Sequence, residues 1–175
     1  MASEPNATAP RFPEGYGVPG SEGETGQRLA WSYVEEKLRG AGNYWVTTVT
    51  PAGRPHARPV DGVWVNGALC FGGSPETRWV RNLAANSAIS VNLSSEAEAI
   101  ILEGTVEAIT DPSHPLAVAS TPATREKYPQ YAEAGLLAEF HPFWALRPSR
   151  AYAWSLNGFP NRATRWDFEK GNTNA

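Results

Sequence analysis

Residues 48–71, with the sequence TVTPAGRPHARPVDGVWVNGALCF, consist of short β-branched and aromatic runs separated by turn residues. Asn66-Gly67 lies between two such runs and is typical of a type I′ hairpin turn, because both central positions of that turn need positive φ. Pro59 predicts a bend or a sheet edge, since proline has no N–H for a central ladder. The segment therefore predicts an antiparallel meander, with strands over residues 44–50, 55–65 and 68–71.

The segments around the meander predict small helices and further strands. Trp31, Val34 and Leu38 recur at helical spacing, which predicts a helix over residues 25–39. Ser74-Pro75 is a suitable N-cap and first-turn pair for a second helix. The other predicted elements are helices over residues 76–86 and 116–137 and strands over residues 88–93, 99–110, 143–146, 151–156 and 164–168. Together they predict a mainly β fold, a six- to seven-stranded antiparallel barrel with small helices, since closure removes exposed edges.

The distribution of glycine and proline predicts the domain boundaries. Residues 1–26 hold five Gly and four Pro with no apolar period, so we predict a flexible N-terminal arm that buries little surface. Phe12 and Tyr16 are the arm residues able to anchor it on the barrel or on a partner subunit. Residues 27–170 then form one barrel domain, and residues 171–175 form a disordered tail.

Charge balance and cysteine count argue against several classes of function. With 15 basic and 18 acidic side chains the net charge is −3, which lacks the basic excess that nucleic-acid binding requires. No apolar stretch is long enough to span a bilayer or to mark a secretory signal, so we expect a cytoplasmic protein with no membrane partner. The single cysteine, Cys70, excludes an internal disulfide, and three separated histidines form no metal-binding motif.

Residues 72–83 are the most informative segment for chemistry. A Gly-rich turn leads into a predicted helix whose first turns carry Arg78 and Arg81. A helix N-terminus presents free N–H groups and arginine adds charge-assisted donors, so the segment suits a phosphate group. Arg54 and Arg58 lie on the strand pair that a meander brings close to this helix. The alternative is that Arg78 and Arg81 are both solvated residues on the helix surface.

The sequence shows no recognisable catalytic side chain. It has no G-x-S-x-G motif, and Cys70 lies in an apolar run without an obvious base. Asp61 and Glu103 lie in predicted strands among mostly apolar or aromatic neighbours. We interpret both as structural carboxylates.

Three groups of residues together resemble the pyridoxamine 5′-phosphate oxidase-like split-barrel superfamily. They are residues 48–71, the sequence TRWVRNLAANS at residues 77–87, and Glu103-Gly104. More narrowly, ATRWDF at residues 163–168 is similar to the final strand of flavin and deazaflavin oxidoreductases of actinobacteria. The resemblance extends over about residues 28–170, and it is specific as an ensemble rather than through one motif.

The resemblance implies a homodimer of split β-barrels of the FMN-binding type. Its cofactor sites would lie at the subunit interface and hold FMN or the deazaflavin coenzyme F420. The matching positions are Arg58, Pro59 and Val60 in the strand that borders the cofactor ring, and Ser74, Thr77, Arg78 and Arg81 in the phosphate region. Arg165 and Trp166 on the terminal strand are candidates for the wall of the site.

One departure from the family pattern affects the phosphate region. Trp79 occupies the position where many relatives have a lysine. Tryptophan offers one N–H and a stacking face but no charge. Either the phosphate is bound more weakly, or Arg78 and Arg81 bind it with Trp79 as a further cofactor contact.

The resemblance favours an F420-dependent oxidoreductase that transfers hydride to a small, unsaturated or aromatic substrate. The terminal strand resembles deazaflavin members, and the C-terminal Arg-x-His pair of true pyridoxamine phosphate oxidases has no match. In such a protein the cofactor carries the hydride, so no catalytic side chain is required. The alternatives are an FMN-dependent oxidoreductase of the same fold and a non-catalytic flavin or F420 carrier.

Overall fold

The computed structural model of the chain describes residues 5–13 and 27–168. The helices in these ranges are α1 (Trp31–Gly40), α2 (Arg78–Ala85), α3 (Pro115–Lys127) and α4 (Pro129–Glu133). The strands are β1 (Ala7–Thr8), β2 (Tyr44–Val49), β3 (Pro55–Val60), β4 (Val63–Val65), β5 (Ala68–Phe71), β6 (Ala88–Asn92), β7 (Glu98–Ile109), β8 (Phe143–Ser155) and β9 (Thr164–Asp167). A single 3-10 turn, Leu156–Gly158, follows β8.

All the described strands belong to one antiparallel sheet. Its order is β1-β9-β8-β7-β6-β2-β3, with β5 also paired to β8 and β4 paired to β5. The long strand β8 therefore pairs with β7, β9 and β5. No pairing joins β3 to β4 in the described ranges, so the sheet is not closed. The prediction of a mainly β, antiparallel split barrel is confirmed, with nine described strands instead of six or seven.

The predicted meander is present with one change. Asn66 (φ 50°) and Gly67 (φ 71°) form the predicted hairpin turn between β4 and β5. Pro59 lies in β3, an edge strand, as expected for a residue without an N–H. The predicted second strand is instead two strands, β3 and β4, which are separated by Asp61 and Gly62. A Cβ at Gly62 would lie 2.8 Å from the backbone oxygen of Cys70, so this approach requires glycine.

The strands predicted over residues 143–146 and 151–156 are in fact one strand, β8. Pro148 suggested an interruption, but β8 passes through it opposite Gly104, where the register of β7 shifts. A bulge tolerates a residue that cannot donate to the ladder. A Cβ at Gly104 would lie 2.9 Å from the backbone oxygen of Arg147, so glycine is needed at this irregularity.

The helices α1 and α2 begin later in the chain than predicted, and part of the arm is paired with the sheet. α1 starts at Trp31 and α2 at Arg78, and the helix predicted over residues 116–137 is α3 followed by α4. In the arm, β1 pairs with β9, and Phe12 packs edge-on against Phe159 at 5.2 Å. Tyr16 and the predicted tail lie outside the described residues. No described helix has both the length and the apolar character that a bilayer span requires.

The buried side chains form two clusters on either side of the β4–β5 hairpin. The larger one receives Trp31, Val34 and Leu38 from α1, at the helical spacing that the sequence predicts. The smaller one lies beneath α3 and includes Leu116 and Cys70. Burial raises the pKa of the Cys70 thiol to about 12, so Cys70 packs as a small apolar residue.

Candidate anion-binding site between β3 and α2

One buried hydrogen bond fixes α2 against the edge of the sheet. Asn82 Nδ2 donates to Thr48 Oγ1 on β2 at 2.9 Å, and both side chains are buried. Thr48 in turn donates to the backbone oxygen of His56 on β3 at 3.3 Å. The α2 helix therefore lies over the face of β2 and β3 that carries these residues.

Arg58 and Arg78 lie on this same face, close to His56. Thr48 pairs with His56 across the ladder, and Arg58 is two residues further along β3, so it points to the same side. Arg78 precedes Asn82 by four residues and occupies the same side of α2. Burial lowers the pKa of His56, and the positive charges of Arg58 and Arg78 lower it further. The three side chains are therefore within electrostatic range of one another.

These basic side chains have no acidic partner among the described residues. Arg58, Arg78 and Arg81 are exposed, and none of them forms an ion pair. The same holds for Arg54 on the turn before β3. Like charges held close together repel each other, so an anion bound among them would relieve the repulsion and accept charge-assisted hydrogen bonds. We name His56, Arg58, Arg78 and Arg81 the basic cluster.

The turn before α2 has a different geometry from the predicted N-cap. Ser74 is not the N-cap, because α2 begins after Thr77, whose hydroxyl donates to the backbone oxygen of Ser74 at 2.7 Å. Ser74 Oγ accepts from the N–H of Glu76 at 3.2 Å. Arg81 Nη1 donates to the backbone oxygen of Glu76 at 2.7 Å, which ties the turn to the helix. No side chain caps the start of α2, so its first-turn N–H groups are available to an external acceptor.

Trp79 packs beneath the Gly-rich turn. Its side chain is only 7% exposed, and its ring lies 5.7 Å from that of Phe71 between centroids. A Cβ added at Gly73 would overlap the Trp79 ring, so the turn rests directly on the indole. The residue at the usual lysine position thus supports the turn, and the positive charge of the site comes from the neighbouring arginines.

Pro59 and Val60 lie on opposite faces of the edge strand β3. Val60 is buried and pairs with the buried Tyr44, so it faces the core. Pro59 is exposed and pairs with Trp45, which is 38% exposed. The outer face of this edge therefore presents an apolar surface formed by a proline and a tryptophan.

Arg165 and Trp166 lie on β9, which four strands separate from β3 in the sheet order. Trp166 is fully buried and packs edge-on against Trp31 at 5.4 Å. Arg165 forms an ion pair with Asp167 at 2.7 Å. The structure thus places Trp166 in the core and Arg165 in a surface ion pair, and it does not bring them together with the basic cluster.

A family model, described as pyridoxamine 5′-phosphate oxidase, matches residues 33–164. The match extends over more than half of the chain and includes β3, α2 and the whole basic cluster. The chain belongs to the pyridoxamine 5′-phosphate oxidase family. No curated protein sequence matches this family member.

Solved structures with the same fold are distant in sequence. A conserved hypothetical protein of Mycobacterium tuberculosis superposes with a TM-score of 0.61 at 13% identity, over 73% of this chain and 85% of that one. A heme-binding protein of Mycobacterium smegmatis superposes with a TM-score of 0.62 at 20% identity, over 81% of this chain and 60% of that one. A heme storage protein of Vibrio cholerae superposes with a TM-score of 0.54 at 17% identity, over 68% of this chain and 87% of that one. At 20% identity or less, the structural similarity shows only that this pyridoxamine 5′-phosphate oxidase family member shares the fold of these proteins.

A second polar group supports the end of β3 in this family member. Lys127 Nζ donates to Tyr44 OH at 3.0 Å and to the backbone oxygen of Gly62 at 2.9 Å. It lies 4.8 Å from the ring centroid of Tyr44 and 5.4 Å from that of Tyr128. Burial lowers the pKa of Lys127 to about 8, against the opposing effect of Asp61. We name Lys127, Tyr44 and Tyr128 the tyrosine cage.

Sequence analysis missed Trp45, His56 and the tyrosine cage. For His56 the sequence does carry a signal, since its two-residue spacing from Arg58 on a predicted strand indicates one shared face. The cage had no such signal, because Lys127 lies 83 residues from Tyr44 in the chain. In the described ranges, no three His, Cys, Asp or Glu side chains come together as a metal site.

Proposed function

We propose that this chain binds a flavin-type nucleotide by its phosphate at the basic cluster and acts as an oxidoreductase. The observation that carries the proposal is the group of exposed arginines and His56 at an uncapped helix start, without an acidic partner among the described residues. A group of fixed positive charges at a helix N-terminus suits a phosphate. Membership of the pyridoxamine 5′-phosphate oxidase family supports a flavin-type cofactor.

The residues present fit such a cofactor. FMN and F420 both carry a phosphate on a ribityl chain, and Arg58, Arg78 and Arg81 would supply planar donors for its oxygens. The apolar surface of Trp45 and Pro59 lies on the other side of the same edge strand. A bound flavin or deazaflavin would itself supply hydride transfer, and the protein would supply position and charge.

Our preferred cofactor is F420, with a small unsaturated or aromatic substrate. This choice rests on the resemblance of residues 163–168 to the deazaflavin oxidoreductases. FMN is the alternative within the same proposal. We also propose that Ser74, Thr77 and Trp79 contribute to the phosphate region through the turn before α2, and that Arg165 approaches the cofactor from the partner subunit of a homodimer. Trp166 is fully buried, so its part in such a site would be to support β9 from within the core.

The homodimer is part of the proposal because the outer face of the sheet edge is apolar. Trp45 is 38% exposed beside the exposed Pro59, and exposed aromatic surface is typical of interaction sites. Light scattering coupled to size-exclusion chromatography should give twice the mass of the 19.0 kDa chain. Trp45→Ser should shift the protein toward monomer, whereas Leu156→Ser, at another exposed apolar residue, should leave the mass unchanged.

A titration followed by turnover tests the function. The free protein is titrated separately with F420, FMN and heme, and binding is followed by tryptophan fluorescence. Heme is included because two of the structural neighbours are described as a heme-binding protein and a heme storage protein. Saturable binding of F420 or FMN, followed by oxidation of the reduced cofactor with an enone or quinone, supports the oxidoreductase. Binding without turnover on any acceptor supports the second candidate, a carrier. Saturation by heme alone, or by none of the three, contradicts the proposal.

A further inference from the structure

His56 is the one titratable group in the basic cluster that changes charge near neutral pH. On β3, residues 55 and 57–59 are exposed, whereas His56 is half-buried. Its backbone oxygen accepts from Thr48, which Asn82 holds against α2. The His56 side chain therefore lies on the face of β3 that α2 covers, within electrostatic range of Arg78 at the start of the helix, where a bound anion would also lie.

The groups that face His56 from each neighbouring element are neutral or positively charged. On its own strand the charged neighbour is Arg58, and on α2 it is Arg78. On β2 and in the second turn of α2, the polar residues linked to its backbone oxygen are the neutral Thr48 and Asn82. No carboxylate contributes to the shift of the His56 pKa, which burial and the two arginines lower. In the free protein at neutral pH the imidazole is therefore uncharged.

We infer that His56 takes up a proton when an anion binds at the basic cluster and then donates a charge-assisted hydrogen bond to it. The inference rests on the proposed phosphate site and specifies how that site responds to pH. A dianion between Arg58 and Arg78 neutralises the charges that keep the imidazole deprotonated, and it adds a negative partner of its own. Both effects favour imidazolium, so anion binding and proton binding at His56 strengthen each other.

The consequence is an affinity that decreases as pH rises. In the complex the pKa of His56 is raised relative to the free protein, so the extra binding energy is present at low pH and is lost as pH rises through the bound-state pKa. Sulfate is a suitable probe because it carries two charges across the whole range from pH 5.5 to pH 8.5. We expect its affinity to fall at least about fivefold from pH 6 to pH 8, within the limit of tenfold per pH unit for one proton.

The test uses the full chain and follows the histidine Cε1–H signals by NMR from pH 5.5 to 8.5. The signal of His56 is assigned with His56→Gln, and His141, an exposed loop residue, serves as the internal control. Titrations are run in chloride and in sulfate at equal ionic strength. The expected result is a titration midpoint for His56 that lies below the ordinary histidine value of about 6.5 in chloride and rises by at least about one pH unit in sulfate.

A matched pair of variants separates His56 from its surroundings. His56→Gln keeps an amide donor but cannot gain charge, so its sulfate affinity should equal that of the unmodified protein at pH 8 and should not increase toward pH 6. His141→Gln should retain the full pH dependence. If His56→Gln shows the same pH dependence as the unmodified protein, the inference is overturned.

Parallel titrations with FMN and F420 distinguish failure of this inference from failure of the proposed function. If either cofactor binds while the His56 midpoint stays fixed, the proton-linked role is wrong and the function stands. If sulfate raises the midpoint but neither cofactor binds, the anion site is supported and the flavin proposal is wrong. An unchanged midpoint in sulfate without binding of either cofactor overturns both.

Discussion

Lys127 provides a stability prediction that follows directly from its surroundings. The ammonium group is half-buried between Tyr44 and Tyr128, and it donates to Tyr44 OH and to the backbone oxygen of Gly62. Burial lowers its pKa from 10.5 to about 8, although Asp61 opposes the shift. Between these two pKa values the unfolded chain binds more protons than the folded one, so this group makes the protein more stable as pH rises.

The size of the effect follows from the two pKa values. A group that titrates near 8 when folded and near 10.5 when unfolded raises the free energy of unfolding by about 1 kcal/mol between pH 8 and pH 9. Lys127→Met removes the titrating group and keeps most of the apolar stem. The difference in stability between the unmodified protein and the variant should therefore move by about 1 kcal/mol over that interval, in favour of the unmodified protein.

Urea unfolding at pH 7, 8 and 9, followed by tryptophan fluorescence, measures this difference. The unmodified protein and Lys127→Met share all other titratable groups, such as Cys70. The contributions of those groups to the free energy of unfolding therefore cancel in the difference at each pH. Lys37→Met is the matched control, because the hydrogen bond to Glu98 raises the pKa of Lys37. A raised pKa gives a contribution that is lost only above pH 10.5, so this control should show a constant difference from pH 7 to 9. A constant difference for Lys127→Met as well would refute the account of the tyrosine cage.

Three further predictions concern packing, two around the site and one in the smaller cluster. Gly73→Ala places a methyl group in the Trp79 ring and should lower the free energy of unfolding in urea by about 1–3 kcal/mol. Gly40→Ala, with no atom within 4 Å of the new Cβ, should leave that free energy unchanged. Equal losses in the two variants would contradict the packing of Trp79 beneath the turn. Asn82→Ala removes a buried donor and should cost about 1–3 kcal/mol, so a loss below the detection limit would contradict a clamp between α2 and β2. Cys70 should react with a thiol reagent at pH 8 only in urea, because burial raises its pKa to about 12; rapid labelling of the folded protein would show that the smaller cluster is open.

The parts of the fold that the sequence predicted well are those set by local chemistry. Asn66 and Gly67 produce the expected turn because their positive φ is a property of the dipeptide. Pro59 marks an edge strand because the missing N–H acts locally. Pro148 misled the prediction for β8, because its tolerance depends on the bulge opposite it at Gly104, more than 40 residues away. Long-range partners decide whether such a residue breaks a strand.

In the candidate site too, features set by local chemistry could be predicted from the sequence, and features set by long-range contacts could not. The sequence singles out Arg58, Arg78 and Arg81 as candidates because helix starts and arginines suit phosphate wherever they occur. The role of Trp79 beneath the Gly-rich turn needed the structure, since its partners Gly73 and Phe71 are set by the path of the turn. The tyrosine cage and the proximity of His56 to Arg78 join segments that the sequence keeps apart.

The central claim is that the basic cluster binds the phosphate of a flavin-type cofactor. The most direct measurement is the dissociation constant of FMN against riboflavin, and of F420 against its deazaflavin riboside without phosphate, for the unmodified protein and for Arg58→Gln/Arg78→Gln. We predict that at least one phosphorylated form binds at least about tenfold more tightly than its phosphate-free partner, and that the double substitution abolishes the difference. Equal affinity of both forms in the unmodified protein, or a phosphate preference that survives the double substitution, would contradict the account.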